Sequence, residues 1–139
     1  MSYSHEKYVK ENKRTKEHND WRLPTIKELI SLINDKKHSP ACDFTDTHSC
    51  FYWSSTSCAI FIDGALSVDF RDGYTGNISK TYSLYVRCVR DGKKGLHWSK
   101  TSEDRMTWNE ATKYARNLVA KTYCKGVNNE KLKLQASAS

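Results

Sequence analysis

The chain contains three Asp-Gly dipeptides, at Asp63-Gly64, Asp72-Gly73 and Asp91-Gly92. They restrict its fold more than any other feature of the sequence. Asp-Gly between segments of alternating polarity is a strong β-hairpin signal, because the turn needs residues that accept a positive φ. The predicted strands are FYWSST at 51–56, CAIFI at 58–62, LSVDF at 66–70, SLYVRCVR at 83–90 and GLHWSK at 95–100. The sequence therefore predicts a small antiparallel sheet.

A helix is predicted before these strands, directly after Pro24. Thr25 can cap it, and Glu28 three residues later completes a capping box. Apolar residues recur at helical spacing and give the helix one apolar face: Ile26, Leu29, Ile30 and Ile33. Asn34-Asp35 ends this helix, and a polar loop runs from there to about Cys50.

A second helix is predicted after the last strand. Thr107 is its N-cap and Glu110 stands at the third helical position. Its apolar stripe consists of Trp108, Ala111, Tyr114, Ala115 and Leu118. A helix, several antiparallel strands and a further helix make an α+β fold, without the strand–helix alternation of a parallel sheet.

The length of 139 residues fits one domain. We expect a charged N-terminal arm over residues 1–19, one domain over residues 20–123 and a flexible tail over residues 124–139. No apolar run reaches membrane-spanning length, and the polar N-terminus encodes no signal peptide. Membrane insertion is therefore not expected, although a removed signal would leave export open.

The net charge of +7 is unevenly distributed. Residues 1–40 hold nine Lys/Arg against six Asp/Glu, residues 41–90 hold four against five, and residues 91–139 hold ten against five. Basic ends attract nucleic acid or a polyanionic glycan. The plainer interpretation, which we favour, is that Lys-rich ends are solvated surface.

The five cysteines form no CxxC pair, which argues against a zinc ribbon or a thioredoxin-type motif. Cys42, His48, Cys50 and Cys58 lie close in sequence, but their spacing matches no strong zinc pattern. A Cys42–Cys50 disulfide is the stronger expectation for an exported protein, and free buried thiols are the other plain option.

Several motifs together resemble one known family. DWRLPTIKEL from residue 20, YWSST from 52, VDFRDGY from 68 and YVRCVR from 85 follow one another as in the Lcl-C domain, named for the C-terminal domain of a Legionella collagen-like adhesin. The family occurs in bacteria and phages, and the resemblance over residues 20–90 implies a C-type-lectin-like fold, similar to that of sulfatase-modifying factors.

The order of the motifs departs from the family pattern. A GLMWQK-like strand and a TWxEAxxYCxxL helix usually precede DWRLP, whereas GLHWSK and TWNEATKYARNL follow residue 90 here. The chain is therefore interpreted as a permuted domain, residues 20–90 followed by 95–120, or as a strand-and-helix exchange between two chains. A fragment of a tandem array is the alternative. The short DGKK connection favours permutation, because the first and last strands of the fold are neighbours.

The resemblance also implies structural roles. The residues expected to be structural are Trp21, Arg22, Pro24, Trp53, Arg87, Cys88, Trp98 and Trp108. We expect Arg22 and Arg87 to form ion pairs with Asp20 or a neighbouring acid rather than to clamp a ligand. The family helix carries a cysteine where Ala115 stands, so Cys88 lacks its usual partner; Cys124, Cys58 or no partner remain open.

No catalytic, metal or cofactor site is predicted. The calcium motifs of sugar-binding C-type lectins are missing, and Asp63 and Asp72 are explained by turn formation. The Gly-x-Ser-x-Gly motif of hydrolases, the HExxH motif of zinc metalloproteases and the phosphate-binding loop are missing too. The five histidines are scattered along the sequence. We therefore expect a noncatalytic protein without a cofactor.

Recognition is the leading hypothesis. The expected ligand surface on the exposed side of the hairpins consists of Tyr52, Arg71, Tyr74, Asn77, Lys80, Tyr82 and Tyr85, because aromatics with Lys and Arg stack on sugars and pair with sulfates or carboxylates. The predicted function is binding of a glycan, sulfated or acidic, or of a protein receptor, as in adhesins and phage receptor-binding proteins, at a cell surface, in secretion or on a virion. The alternatives are an assembly module with a swapped oligomer and, less favoured, nucleic-acid binding through the basic ends.

Overall fold

A computed structural model describes residues 17–120. In chain order it contains α1 (Ile26–Ile30), β1 (Phe51–Ser57), β2 (Gly64–Asp69), β3 (Tyr74–Ser79), β4 (Arg87–Gly92), β5 (Gly95–Thr101) and α2 (Trp108–Asn117). The strands form an antiparallel three-stranded sheet, β1-β2-β3, and an antiparallel β4-β5 hairpin. The fold is α+β, as predicted. The predicted arm over residues 1–19 and the tail over 124–139 lie almost entirely outside the described residues.

Both helices begin at the predicted capping boxes. Thr25 accepts a hydrogen bond from the Glu28 N–H while the Glu28 carboxylate accepts one from the Thr25 N–H. Helix α1 ends earlier than predicted, at Ile30: Leu32 lies in the following turn, and Ile33 forms an antiparallel bridge with Cys42. Leu29 is fully buried, whereas Ile30 is 41% exposed and does not belong to the buried face.

The Asp72-Gly73 hairpin is confirmed. It joins β2 to β3, whose register pairs Asp69 with Tyr74 and Gly64 with Ser79. Gly73 has a φ of 90°, a conformation that glycine adopts without the steric penalty of a Cβ atom.

The predicted CAIFI strand is wrong. Residues 58–63 form a loop between β1 and β2, in which Ile60 is 97% and Ile62 76% exposed. Strand β1 extends to Ser57, which pairs with Ala65, so β2 is already occupied by the preceding residues. This apolar, β-branched segment has a strand-like composition, but no neighbouring strand is left for it to pair with.

The β4-β5 hairpin is also confirmed, but its turn is displaced from the Asp-Gly pair. Asp91 and Gly92 are the last residues of β4, paired with Leu96 and Gly95. The turn itself consists of Lys93-Lys94. The connection is therefore shorter than the predicted four residues.

Two apolar clusters form the core. The first contains Trp21, Leu23, Trp53, Ala65, Leu84, Val86, Cys88, Ala111 and Ala115, and the second contains Leu29, Leu32, Cys42, Phe44, Tyr52, Val68, Phe70, Val89 and Trp98. Trp53 and Tyr52 are neighbours in β1 and belong to different clusters, since successive side chains of a strand point to opposite faces. The β1-β2-β3 sheet therefore separates the clusters.

Helix α2 packs on the core of its own chain. Ala111 and Ala115 are buried in the first cluster, with Trp108, Tyr114 and Leu118 half-buried against it, which confirms the predicted stripe. The Trp108 indole N–H donates to the Ser54 carbonyl over 3.0 Å. Strand β5 and helix α2 thus complete the core within the one chain described. The permutation, the exchange between two chains and the C-type-lectin-like relationship stay predictions.

The residues expected to be structural are mostly buried. Trp21, Trp53 and Trp98 lie in the core, and Pro24, Arg87 and Cys88 are buried with them. The Trp53 indole N–H donates to the Met106 carbonyl over 2.8 Å, and that of Trp21 donates to the His18 carbonyl over 3.0 Å. Within residues 17–120 no helix is long and apolar enough to span a membrane.

The two predicted arginine ion pairs exist, with other acids than Asp20. Arg22 pairs with Glu28 at 2.8 Å and with Asp91 at 3.1 Å. Arg87 pairs with Asp46 at 2.7 Å. Asp20 instead pairs with Arg90 at 2.7 Å.

Candidate functional site

A depression of about 300 Å³ lies beside the start of β1, at Phe51. Its lining combines two arginines, two serines, a cysteine, an acid and two apolar residues: Ser49, Cys50, Phe51, Asp69, Arg71, Ser83, Leu84 and Arg105. The lining comes from four separate parts of the chain, which the fold brings together. Of the seven residues predicted to bind a ligand, only Arg71 belongs to it.

Arg71 lies in the turn between β2 and β3, and both its backbone and its side chain contact Asp69. The Arg71 N–H donates to Asp69 Oδ1 over 2.9 Å, and the guanidinium lies 3.3 Å from Asp69 Oδ2. The Asp69 side chain is only 6% exposed, whereas that of Arg71 is 66% exposed. Asp69 therefore anchors the arginine and leaves most of its guanidinium open to solvent.

Arg105 enters the depression from the loop between β5 and α2. The neighbouring Met106 exchanges two backbone hydrogen bonds with Leu84, of 2.9 and 2.8 Å, which fix this loop beside the lining. Arg105 is exposed, and none of residues 17–120 forms an ion pair with it. Arg105 was not among the predicted ligand residues, because no local sequence pattern indicates the pairing of Met106 with Leu84.

Aromatic side chains flank the depression. The Phe51 and Tyr74 rings meet edge to face, with centroids 6.5 Å apart, and Tyr74 is 63% exposed. The exposed ring of His48 stacks on that of Tyr85, with centroids 4.0 Å apart and planes 8° apart. Tyr85 packs against the second cluster, across the sheet from Phe51 and Leu84 of the first, so this stack does not belong to the depression. Flat rings next to guanidinium groups offer stacking and charge together.

Tyr52 was expected on the ligand surface, and this expectation is wrong. The side chain is fully buried and packs edge to face on Phe70, with centroids 5.1 Å apart. Its hydroxyl oxygen accepts a hydrogen bond from the His48 N–H and lies 3.0 Å from Thr101 Oγ1. Burial raises its pKa. The expectation failed because β1 is buried on both faces: Tyr52 packs in one apolar cluster and the adjacent Trp53 packs in the other.

The other predicted ligand residues do not share one surface. Asn77 is exposed but lies on the opposite face of β3 from Tyr74, because it is an odd number of positions away. The Lys80 ammonium donates to Ser57 Oγ over 2.9 Å and sits 4.2 Å from the centroid of Trp108, so it secures α2. Tyr82 is exposed in the turn after β3.

The four described cysteines are free thiols: Cys42, Cys50, Cys58 and Cys88. Cys42 and Cys88 are buried, Cys50 is exposed, and burial raises the pKa of the Cys88 thiol to about 12. The Cys42–Cys50 disulfide expected for an exported chain is not formed in this structure, and Cys124 lies outside the described residues. Within residues 17–120, no three His, Cys, Asp or Glu side chains gather as metal ligands would.

A second depression, of about 510 Å³, lies along residues 36–45. Lys36, Lys37 and His38 line it together with Asp43. Lys37 pairs with Asp43 at 2.9 Å, which neutralises part of its positive charge. Arg71 is paired in the same way with Asp69, so the choice between the two depressions rests on the type of cation. The arginine depression is the stronger candidate for an acidic ligand, because two guanidinium groups can each donate a pair of hydrogen bonds to a sulfate or carboxylate.

Comparison with known proteins identifies one family. The sequence model of the Lcl C-terminal domain matches residues 2–90. This range begins within the segment predicted as an arm and stops before β5. No curated protein and no solved structure matches the chain.

Proposed function

Because the chain belongs to the Lcl C-terminal domain family, we propose that it is a noncatalytic recognition domain for an acidic group on a glycan or protein receptor. The observation that carries the proposal is the convergence of Arg71 and Arg105 on one depression. Sulfate and carboxylate oxygens match the planar fork of a guanidinium, which can donate two parallel hydrogen bonds. The Ser49 and Ser83 hydroxyl groups add donors of adjustable direction.

The flanking ring of Tyr74 supports a glycan in particular. Tyr74 contacts the lining residue Phe51, is 63% exposed and presents a flat apolar face beside the charges. A sugar ring can pack on such a face while its acidic substituent reaches an arginine. The described lining holds one carboxylate, Asp69, which already pairs with Arg71, so binding rather than proton transfer suits the site.

The test is titration of the whole protein with a size-fractionated heparin oligosaccharide in a calorimeter, at low and at physiological salt. Binding should weaken as salt rises, because exposed charges are screened. Arg105→Ala and Arg71→Ala should each raise the dissociation constant by about tenfold, the effect of one charged hydrogen bond. Arg116→Ala, which removes an equal charge from the exposed surface of α2, is the matched control.

Equal losses of affinity in all three variants would indicate a diffuse effect of net charge and would reject this depression. Absence of binding by the unmodified protein would reject the glycan. A protein receptor would then be sought with the same variants.

A further inference from the structure

We infer that the outer edge of β3 is an interface for a second copy of this chain, which pairs with it in antiparallel register about a two-fold axis at Gly76. Strand β3 is the last strand of the β1-β2-β3 sheet. An unpaired edge strand presents a row of donors and acceptors that other strands can use. This inference does not depend on the proposed function.

The groups on this edge follow from the neighbouring pairs. The Phe70 N–H donates to the Cys50 carbonyl over 2.9 Å, so the even-numbered backbone groups of β2 face β1. Its odd-numbered groups therefore face β3, where Asp69, Ser67 and Ala65 lie opposite Tyr74, Gly76 and Ile78.

The remaining residues of β3 direct their backbone groups outward: Thr75, Asn77 and Ser79. The Ser79 carbonyl accepts a hydrogen bond from the Tyr82 N–H over 3.0 Å. Within residues 17–120, no backbone–backbone hydrogen bond outside the sheet uses the outward groups of Thr75 or Asn77.

This edge lacks the features that usually prevent a further strand from pairing with it. The strand reads YTGNIS and contains no charged residue and no proline, whereas lysine, proline and bulges are the common means of blocking an edge. Its pairing with β2 is regular from Gly64–Ser79 to Asp69–Tyr74, without a bulge. The edge is thus regular, uncharged and suited to strand addition.

The free groups select one register for a second copy. With Gly76 on the two-fold axis, Thr75 faces Asn77 of the second copy, and both exchange their free backbone hydrogen bonds. The two Gly76 residues then meet at a close non-hydrogen-bonded position, where no side chain obstructs the approach. Centring the pair on Asn77 would instead need the Ser79 carbonyl, which Tyr82 already occupies.

The side chains favour the same register. Tyr74 lies opposite Ile78 of the second copy on one sheet face, an aromatic and β-branched pair of the kind that stabilises sheets. The exposed Tyr74 ring would then be buried against Ile78 of the second copy. The free backbone groups of Thr75 and Asn77 lie symmetrically about Gly76, so this edge is complementary to itself. That self-complementarity identifies the occupant as a second copy in antiparallel orientation.

Sedimentation equilibrium of the whole protein over a wide concentration range tests the proposal. The unmodified chain should show a monomer–dimer equilibrium. Thr75→Pro removes an outward N–H, which an edge strand tolerates, and Thr75→Lys adds a charge at the interface. Each should raise the dimer dissociation constant at least about tenfold, with an unchanged circular dichroism spectrum.

Asn117→Lys is the matched control, because it adds the same charge at the exposed end of α2. It should leave the dimer constant unchanged. A chain that stays monomeric at every concentration overturns the proposal. So does a dimer that both Thr75 variants, shown to be folded by their spectra, form as tightly as the Asn117→Lys control.

Discussion

Arg87 and Asp46 form an ion pair in the interior of the protein, with 2.7 Å between Nη2 and Oδ1. The Arg87 side chain is 1% exposed, and its Nη1 also donates to the Ser99 carbonyl over 2.8 Å. The second carboxylate oxygen of Asp46 accepts the Thr101 N–H over 2.9 Å. One ion pair therefore joins the loop before β1 to both strands of the β4-β5 hairpin.

Replacing Arg87 should destabilise the fold strongly. Arg87→Met leaves Asp46 without its charged partner, and breaking a buried pair in this way costs about 3–5 kcal/mol of the free energy of unfolding. Chemical denaturation followed by tryptophan fluorescence measures the change. Arg90→Met is the control, because the Arg90–Asp20 pair has an acid that is 56% exposed and should contribute less than about 1 kcal/mol. Equal losses would contradict the structural role of Arg87.

The pH dependence of stability should reflect the same acids. Hydrogen bonding to Arg90 lowers the pKa of Asp20. Burial opposes the charged forms of Glu28 and Asp46, but their arginine partners outweigh it and lower both pKa values. A lowered pKa in the folded state contributes stability that is present above the unfolded-state values, 3.8 for Asp and 4.5 for Glu, and is lost as the pH falls further.

Thermal unfolding between pH 7 and pH 3 measures this effect. The midpoint temperature should stay nearly constant down to about pH 5 and then fall as the carboxylates bind protons. Asp46→Asn should flatten part of the fall, because it removes one of the titrating groups. A midpoint that rises on acidification would contradict the assignment of these pairs.

The parts of the fold that sequence could predict are those set by neighbours along the chain. Thr25 with Glu28 and Thr107 with Glu110 each lie within one helical turn, so both capping boxes were predictable. The Asp72-Gly73 hairpin was predictable for the same reason. Residues 58–62 carry a strand-like composition, but only the register of β1 against β2 shows that they have no pairing partner.

The candidate site was less predictable, because it depends on distant contacts. Arg105 reaches the depression through the pairing of Met106 with Leu84, which no local pattern encodes. Tyr52 and Tyr74 both look like surface strand residues in the sequence. Alternation shows which side chains of a strand share a face, but tertiary packing decides whether that face is covered at each residue. Phe70 and Tyr85 cover Tyr52, whereas Tyr74 is 63% exposed.

Strand β5 and helix α2 should be needed for folding, even though the family match ends at residue 90. A chain truncated after residue 94 loses Trp98, Ala111 and Ala115, which belong to the two core clusters. We expect loss of the near-ultraviolet circular dichroism signal and of cooperative unfolding. The control chain ends at residue 120, keeps β5, α2 and both core clusters, and should unfold cooperatively. A cooperative transition in the shorter chain would show that residues 1–94 form a domain alone.

Thiol reactivity should separate the cysteines by exposure. In a Cys124→Ser background, Cys50 is the exposed thiol and should react first with a chromogenic disulfide reagent. The half-buried Cys58, whose sulfur accepts the Phe61 N–H over 3.4 Å, should react more slowly.

The buried thiols should not react in the folded protein. Cys88 combines full burial with a pKa of about 12, so at neutral pH it lacks both access and the thiolate form that attacks disulfides. Cys88 and the buried Cys42 should react only after denaturant unfolds the protein. The fast phase should disappear in Cys50→Ser and persist in Cys88→Ser; the opposite result would mean that β4 is exposed to solvent in the folded protein.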